Sequence, residues 1–471
     1  MPVPYSIPPP NNDVYHPTMK GHLIIWWDSL RNSFWFKPSI MAVCAIALSF
    51  GVVTIDDHLT RLWLKSVTWI YSGGVDGARA VLQTVAGSMI TIAGTVFSLT
   101  LVALSIASSQ FGSRLLRNFM RDSINQTVLG TFTATFLYCL MVLRTIRSES
   151  EGGFVPHVAV TLGVILALAS LWMLIYFIHH VAVSIQADEV VARVSDDLNE
   201  AIERLFPEGA TPSVPAAEGD PPVLPDCSEL PIPAAEDGYL QRIDLERLLV
   251  LAHENNLVLH LDRRPGHYLV AGTALGTARA IQALPLELIK EIQKTFFVGN
   301  QRTMTQDVEF GILQLVEIAV RALSPGINDP FTAIACVDRL GSILARLAQR
   351  TMPAAYRYGS DGSIRLIADC VTFISMADAA MNQLRQYARD NADVTIRLLE
   401  TIAVVVSVTP SPADRDALRR QAEMISAGAE HALPEAQDRS TVKMRYGAVL
   451  RAIQLPPYNY AKSVTSKERT T

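Results

Sequence analysis

A hydroxyl recurs every three or four residues through GSMITIAGTVFSLTLVALSIASSQ, residues 87 to 110. The side chains are Ser88, Thr91, Thr95, Ser98, Ser105 and Ser109, and Val102 stands where the interval would hold one more. At 3.6 residues per turn they form one stripe along a helix. Uncharged hydroxyls at bilayer depth can do two kinds of work. They can bond to carbonyls one turn back and let helices approach closely, a packing seam that Gly87, Gly94 and Ala103 would support. Alternatively, copies of the helix around an axis can turn the stripe to water, where hydroxyls replace part of an ion's hydration. The spacing leaves both open.

In the second case no carboxylate or base lies between residues 80 and 113, so selection by charge within the membrane would be weak. Phe97 and Val102 are then candidate apolar constrictions, Phe97 lying beside the stripe. Arg114, Arg117 and Arg121 follow directly. A ring of them at an inner mouth would favour anions or hold anionic lipid headgroups, and their plainer role is to anchor topology.

A second constellation is Ser324-Pro325-Gly326-Ile327-Asn328-Asp329-Pro330. Asn328 and Asp329, with Asp338, could ligate a cation. The local chemistry has a simpler account: Pro325-Gly326 suits a turn, Asp329 an N-cap and Pro330 the first position of a helix. Asp307 and Glu309 read in the same way as first-turn acids. His179 and His180 point about 100° apart on a helix, so they cannot share a metal as an i, i+4 pair does. The five cysteines, Cys44, Cys139, Cys227, Cys336 and Cys370, are widely separated without a CxxC, against a disulfide framework or a structural metal. There is no GxxxxGK[ST], HExxH, GxSxG or GxGxxG, and HENN at 253 to 256 lacks a second histidine. The turn RPGHYLVAGTAL has no lysine from 269 to 278, which a swinging-arm carrier hairpin would need. Neither a catalytic residue nor a cofactor nor a metal is predicted.

The elements that carry these residues are those of a membrane protein. Of 471 residues, 49% are hydrophobic and 18% charged, with mean hydropathy +0.24, a balance unusual for a soluble chain of this size. The net charge of -5 is spread along the chain and gives no footprint for nucleic acid. Four uncharged stretches, about 39 to 55, 80 to 113, 123 to 143 and 152 to 178, approach or exceed the length that spans a hydrocarbon core. The second exceeds it and should tilt or continue beyond. Residues 1 to 38 read as a tail and an interfacial helix, with Trp26, Trp27 and Trp35 as anchors. The segment 56 to 74 carries an apolar face suited to the outer interface. Lys20, Arg31, Lys37 and the three arginines place both termini inside, whereas the outer loops mix bases with Asp56, Asp57 and other acids.

The fourth crossing is expected to run on as a helix to residue 206, closing a membrane domain of 39 to 206. Residues 207 to 236 hold eight prolines and read as a flexible linker. A small β-rich subdomain is expected over 237 to 283, a helical region over 284 to 455 with a hairpin at YRYGSDGSIRLIAD, and a tail over 456 to 471.

At GSMITIAGTVFSLTLVALSIASSQFGSRLLRNFMRD, FIHHVAVSIQ and QDVEFGILQLVEIAVRALSPGINDPFTAIACVDRL, the chain resembles a bacterial predicted-membrane-protein family defined only as a domain of unknown function, the 2254 family. The resemblance implies four membrane helices followed by a cytoplasmic domain, and brings no activity or catalytic residues. The expectation is a mostly α-helical inner-membrane protein with a cytoplasmic α+β domain, in contact with lipid and homo-oligomeric. Its function would be a channel for a small ion, lined by the second helix. The rivals are a membrane-tethered sensor or scaffold, and an enzyme with a site near Asn328 and Asp329.

Overall fold

A backbone in hydrocarbon must satisfy its own hydrogen bonds, so an uncharged run of this length has to be helical. In the computed structural model these runs form α1 (Phe36–Leu59), α2 (Val75–Phe111), α3 (Ser123–Thr145) and α4 (His157–Ser184). The structure describes residues 35–59, 71, 73–112, 123–147, 154–208, 228–280 and 284–458. Among these, four helices are long and apolar enough to cross a membrane. The expected N-terminal tail, most of the interfacial segment, residues 209–227 and the end of the chain from 459 lie outside the described residues. The chain divides into two units, residues 1–109 with 113–185, and residues 110–112 with 186–471.

In the first unit, α2, α3 and α4 meet along small and apolar side chains. One cluster joins Leu82 and Ala86 to Tyr138, Cys139, Val142, Ala159 and Val160, and a second joins Met89, Ala93 and Val96 to Val128, Phe132 and Phe177. Lipid is as apolar as leucine, so packing and interhelical hydrogen bonds hold such a bundle together. Thr135 and Ser170 share a buried hydrogen bond of 3.0 Å between α3 and α4, and the Tyr138 hydroxyl donates to the Ala159 carbonyl at 3.0 Å. At Gly130 of α3 a Cβ would stand 3.2 Å from Pro38 Cα and closer still to Met41 Sδ, so only glycine lets α1 come so near. Asp56, expected in an outer loop, lies instead in the last turns of α1, fully buried. Its Oδ2 accepts from the Val158 and Ala159 N–H groups at 2.9 and 3.3 Å. A carboxylate on the open N–H groups of a helix start is favourable, and here it ties α1 to α4.

The second unit begins with α5 (Ala187–Leu205) and continues through β1 (Ser228–Pro233), β2 (Gly238–Ile243), α6 (Leu245–Glu254), β3 (Val258–Leu261), β4 (Tyr268–Leu269), β5 (Ala274–Ala280), α7 (Leu286–Gln293) and β6 (Phe296–Gly299). It then runs through α8 (Val308–Ala322), α9 (Pro330–Leu347), β7 (Tyr356–Tyr358), β8 (Ile364–Ala368), α10 (Phe373–Tyr387), α11 (Ala392–Val408), α12 (Pro412–Ala432) and α13 (Ala436–Gln454). The expected continuous helix to residue 206 is interrupted: α4 stops at Ser184 and α5 restarts after an extended Gln186. The reason is the apolar stripe of α5, Val191, Val194, Leu198, Ala201 and Ile202, all buried within the second unit.

Two sheets pack about one core. The larger has order β1-β5-β3-β8-β7 and the smaller β4-β2-β6, antiparallel throughout except for β3 against β8. In that core Leu240, Leu248, Leu259 and Leu366 are fully buried, each worth about 1.5–3 kcal/mol relative to exposure. Two expected boundaries move. β1 falls inside the proline-rich segment, and β6, β7 and β8 lie beyond residue 283 yet join the sheets. The helices that follow start on side-chain caps from Asp307, Asp329, Asn391 and Ser411, with a reciprocal capping box between Thr372 and Ser375.

Candidate functional site

The buried positions of α2 are Ala78, Leu82, Ala86, Met89, Ala93, Val96, Ala103, Ala107 and Phe111, a repeat of four and three. The hydroxyl stripe has the same repeat displaced by two residues, a rotation of about 200°, so it lies on the opposite face. Ser88, Thr91, Thr95, Ser98, Val102, Ser105 and Ser109 are all exposed. The seam within the subunit is therefore the alanine face. Gly87 and Gly94 belong to the open side and have nothing within 4 Å of where a Cβ would stand, whereas Ala103 belongs to the buried side.

Along the stripe Ser88, Thr91 and Thr95 donate to the carbonyls of Thr84, Gly87 and Thr91 at 2.7, 2.9 and 3.1 Å, and Ser109 donates to Ile106 at 2.9 Å. The backbone thus carries these hydroxyls at no cost in unpaired donors. Phe97 and Val102 are exposed as well. The 37 residues of α2 make a rod about 55 Å long, well beyond a ~30 Å hydrocarbon core. Arg114, Arg117 and Arg121 lie outside the described residues. His180 stacks on Tyr176 with ring centroids 6.2 Å apart.

The loop of Ser324 to Pro330 joins α8 to α9. Asn328 takes a left-handed conformation, φ 50°, one that asparagine tolerates better than most residues, and its N–H and that of Ile327 both bond to the Ser324 carbonyl. Pro325, Gly326 and Asn328 are exposed in the turn. Asp329 accepts from the Thr332 N–H at 3.1 Å and from its hydroxyl at 2.5 Å, with Pro330 at the first position of α9. Asp338 is engaged by Arg397, Nη2 to Oδ2 at 2.9 Å. The three candidate cation ligands therefore do not converge. Among the described residues no group of three or more His, Cys, Asp or Glu side chains could hold a metal ion.

Sequence reasoning missed a charged cluster beneath the Arg264-Pro265-Gly266-His267 turn. Asp307 caps α8 through the Phe310 N–H at 3.1 Å and receives Arg302 Nε and Nη2 at 2.8 and 3.0 Å. Arg264 Nη2 reaches both Glu309 oxygens at 3.2 and 3.0 Å. Gly266 sits at φ 99°, and a Cβ there would overlap the Asp307 carboxylate. The only available signal was Pro-Gly, which marks a turn without naming what lies under it. Burial pushes the Asp307 carboxyl above its ordinary value, and Arg302 pulls it back only in part.

Burial also lowers the His267 pKa, with Arg264 and Arg263 adding to it and Asp369 and Glu309 opposing. Its Nδ1 accepts the Arg264 N–H at 3.4 Å. A histidine whose folded pKa lies below its unfolded value of about 6.5 binds its proton more tightly when unfolded. Its contribution to stability is then present at neutral pH and lost as pH falls below about 6.5. Thermal melts of the full chain between pH 7.5 and 5.5 are expected to show a decline that His267→Gln makes shallower; parallel curves for the two proteins would contradict this.

Comparison with known proteins gives a family and relatives. The profile of a predicted membrane protein family, DUF2254, matches residues 31–404. Uncharacterized proteins of Mycobacterium bovis and of Mycobacterium tuberculosis are each 34% identical over 437 residues, covering 91% of this chain and 81% of the relative. No solved structure matches the chain.

Proposed function

The chain belongs to the DUF2254 family of predicted membrane proteins, and from that premise we propose that it forms a homo-oligomeric channel in the bacterial inner membrane. Copies of α2 surround the path, and the second unit, on the cytoplasmic side with both termini, regulates what passes. The permeant is a small ion. One observation carries the reading: the hydroxyl row occupies the face of α2 opposite its packing seam and is exposed along its whole length. A row of alcohols has little to offer lipid tails, so a second copy or water is its natural neighbour.

A rival reading draws on the open space at Gly87 and Gly94. Small residues of this kind let helices of two subunits meet, which would seal the row inside a sensor or scaffold. Single cysteines in a background free of native thiols separate the two. Thr95→Cys and Ser98→Cys are expected to react with a small membrane-impermeant thiol reagent at least about tenfold faster than Val96→Cys, which faces the seam, or Leu99→Cys, an exposed leucine about 100° round the helix from Ser98, because a thiolate requires water. Equal, slow reaction at all four positions would remove the channel and leave the scaffold.

A further inference from the structure

The second unit also contains a cavity of about 340 Å³, at the lower end of the ~300–1,000 Å³ that small-molecule sites occupy. It lies where β4 and β6 of the smaller sheet face β5 of the larger, beside α7. Its floor is apolar: Leu269 and Leu275 are almost wholly buried, Phe296 nearly so, and Val298 is half-buried. One wall is cationic. Lys290 and Lys294, four residues apart and therefore on one side of the helical turn, both line the cavity. Lys290 bonds to Glu287 at 3.0 Å, whereas Lys294 has no ion pair among the described residues. Glu236 is the one acid of the lining, against the two lysines.

We propose that this cavity binds a single-chain anionic amphiphile, its short acyl tail against Val298 and Phe296, above the buried Leu269 and Leu275, and its carboxylate or phosphate head at Lys290 and Lys294. Apolar walls with a few placed polar groups are the usual make-up of a ligand site, the walls supplying affinity and the charges orientation. The volume suits one short chain and excludes a two-chain phospholipid held entire. A lysine near a helix C-terminus is also favoured by the helix dipole, but that preference does not explain an apolar chamber beneath it. The site stands apart from the channel reading, because its occupancy is read without any flux.

The test is calorimetric titration of octyl phosphate and octanoate into the full chain held in nanodiscs of zwitterionic lipid, with empty discs as the blank. Saturable binding at one site per chain is expected. Lys294→Glu should weaken it by about tenfold or more, Lys294→Arg by no more than about threefold, and octanol, which lacks the charge, should bind correspondingly less well. Val298→Trp, which places bulk at the half-buried side of the cavity, should also abolish binding while thermal melting shows the fold retained. Absence of saturable binding to the unaltered chain would overturn the proposal, as would an affinity indifferent to both Lys294→Glu and Val298→Trp. Discs containing phosphatidylglycerol distinguish the source of the anion. Loss of octyl phosphate binding there supports a membrane lipid inserting one chain, and unchanged binding supports a free amphiphile.

Discussion

Liposomes carrying the chain with Ser98→Phe are expected to lose at least about tenfold of their ion flux, equivalent to ~1.4 kcal/mol of added barrier. Ser98 stands between Thr95 and the exposed Val102 on the open face of α2. A phenyl ring at 98 would extend the apolar wall at Val102 by one turn, about 6 Å along the axis. Repeated around an assembly, that wall obstructs by dewetting as well as by bulk. Ser98→Thr keeps an oxygen in place and should conduct within about threefold of the unaltered chain. Leu99→Phe, about 100° round the helix from Ser98 and outside the hydroxyl row, should conduct normally. Assembly measured by light scattering completes the comparison. A Ser98→Phe oligomer that is intact and conducts fully would refute the lining role, and an unaltered chain that conducts nothing would transfer the case to the scaffold.

Asp307→Ala should cost about 3 kcal/mol, the lower end of the ~3–5 kcal/mol seen when one member of a buried pair is deleted. Asp307 is 2% exposed and holds both the start of α8 and the Arg302 guanidinium. Because burial raises its pKa in spite of Arg302, the pair as a whole is no large net source of stability. The loss comes from what remains: an Arg302 without its acceptor and a helix start without its cap, the latter about 1 kcal/mol by itself. In thermal unfolding of the full chain in detergent this corresponds to a fall of about 6–12 °C. Asp307→Asn keeps a cap acceptor and should lie between the two. A melting temperature for Asp307→Ala within about 2 °C of the unaltered chain would show that the cluster is dispensable.

The membrane helices could be read because charge-free runs of that length have few alternatives in lipid, and Asp329 and Pro330 could be read because capping is a local affair. β1 was hidden by its own prolines. Pro231 and Pro233 lie two apart on a strand at the sheet edge, where alternate N–H groups need no partner, so a segment that looks like a linker can still pair with β5. The parallel pairing of Leu259 to Leu261 with Leu366 to Ala368 joins segments about a hundred residues apart and leaves no local trace. Nor does spacing alone say which way a stripe points. The 3- and 4-residue repeat of Ser88 to Ser109 is equally that of Leu82 to Ala107, and only the partners Tyr138, Phe132 and Phe177 decide which row turns inward.

The back-bonded hydroxyls also have a polarity. Ser88, Thr91 and Thr95 each direct their single proton into their own helix, so what they present outward is lone-pair density. Such a ladder offers acceptors and withholds donors, which suits a partly dehydrated cation and gives an anion nothing to hold. Any sign preference at this depth would then arise from the orientation of O–H bonds and not from formal charge.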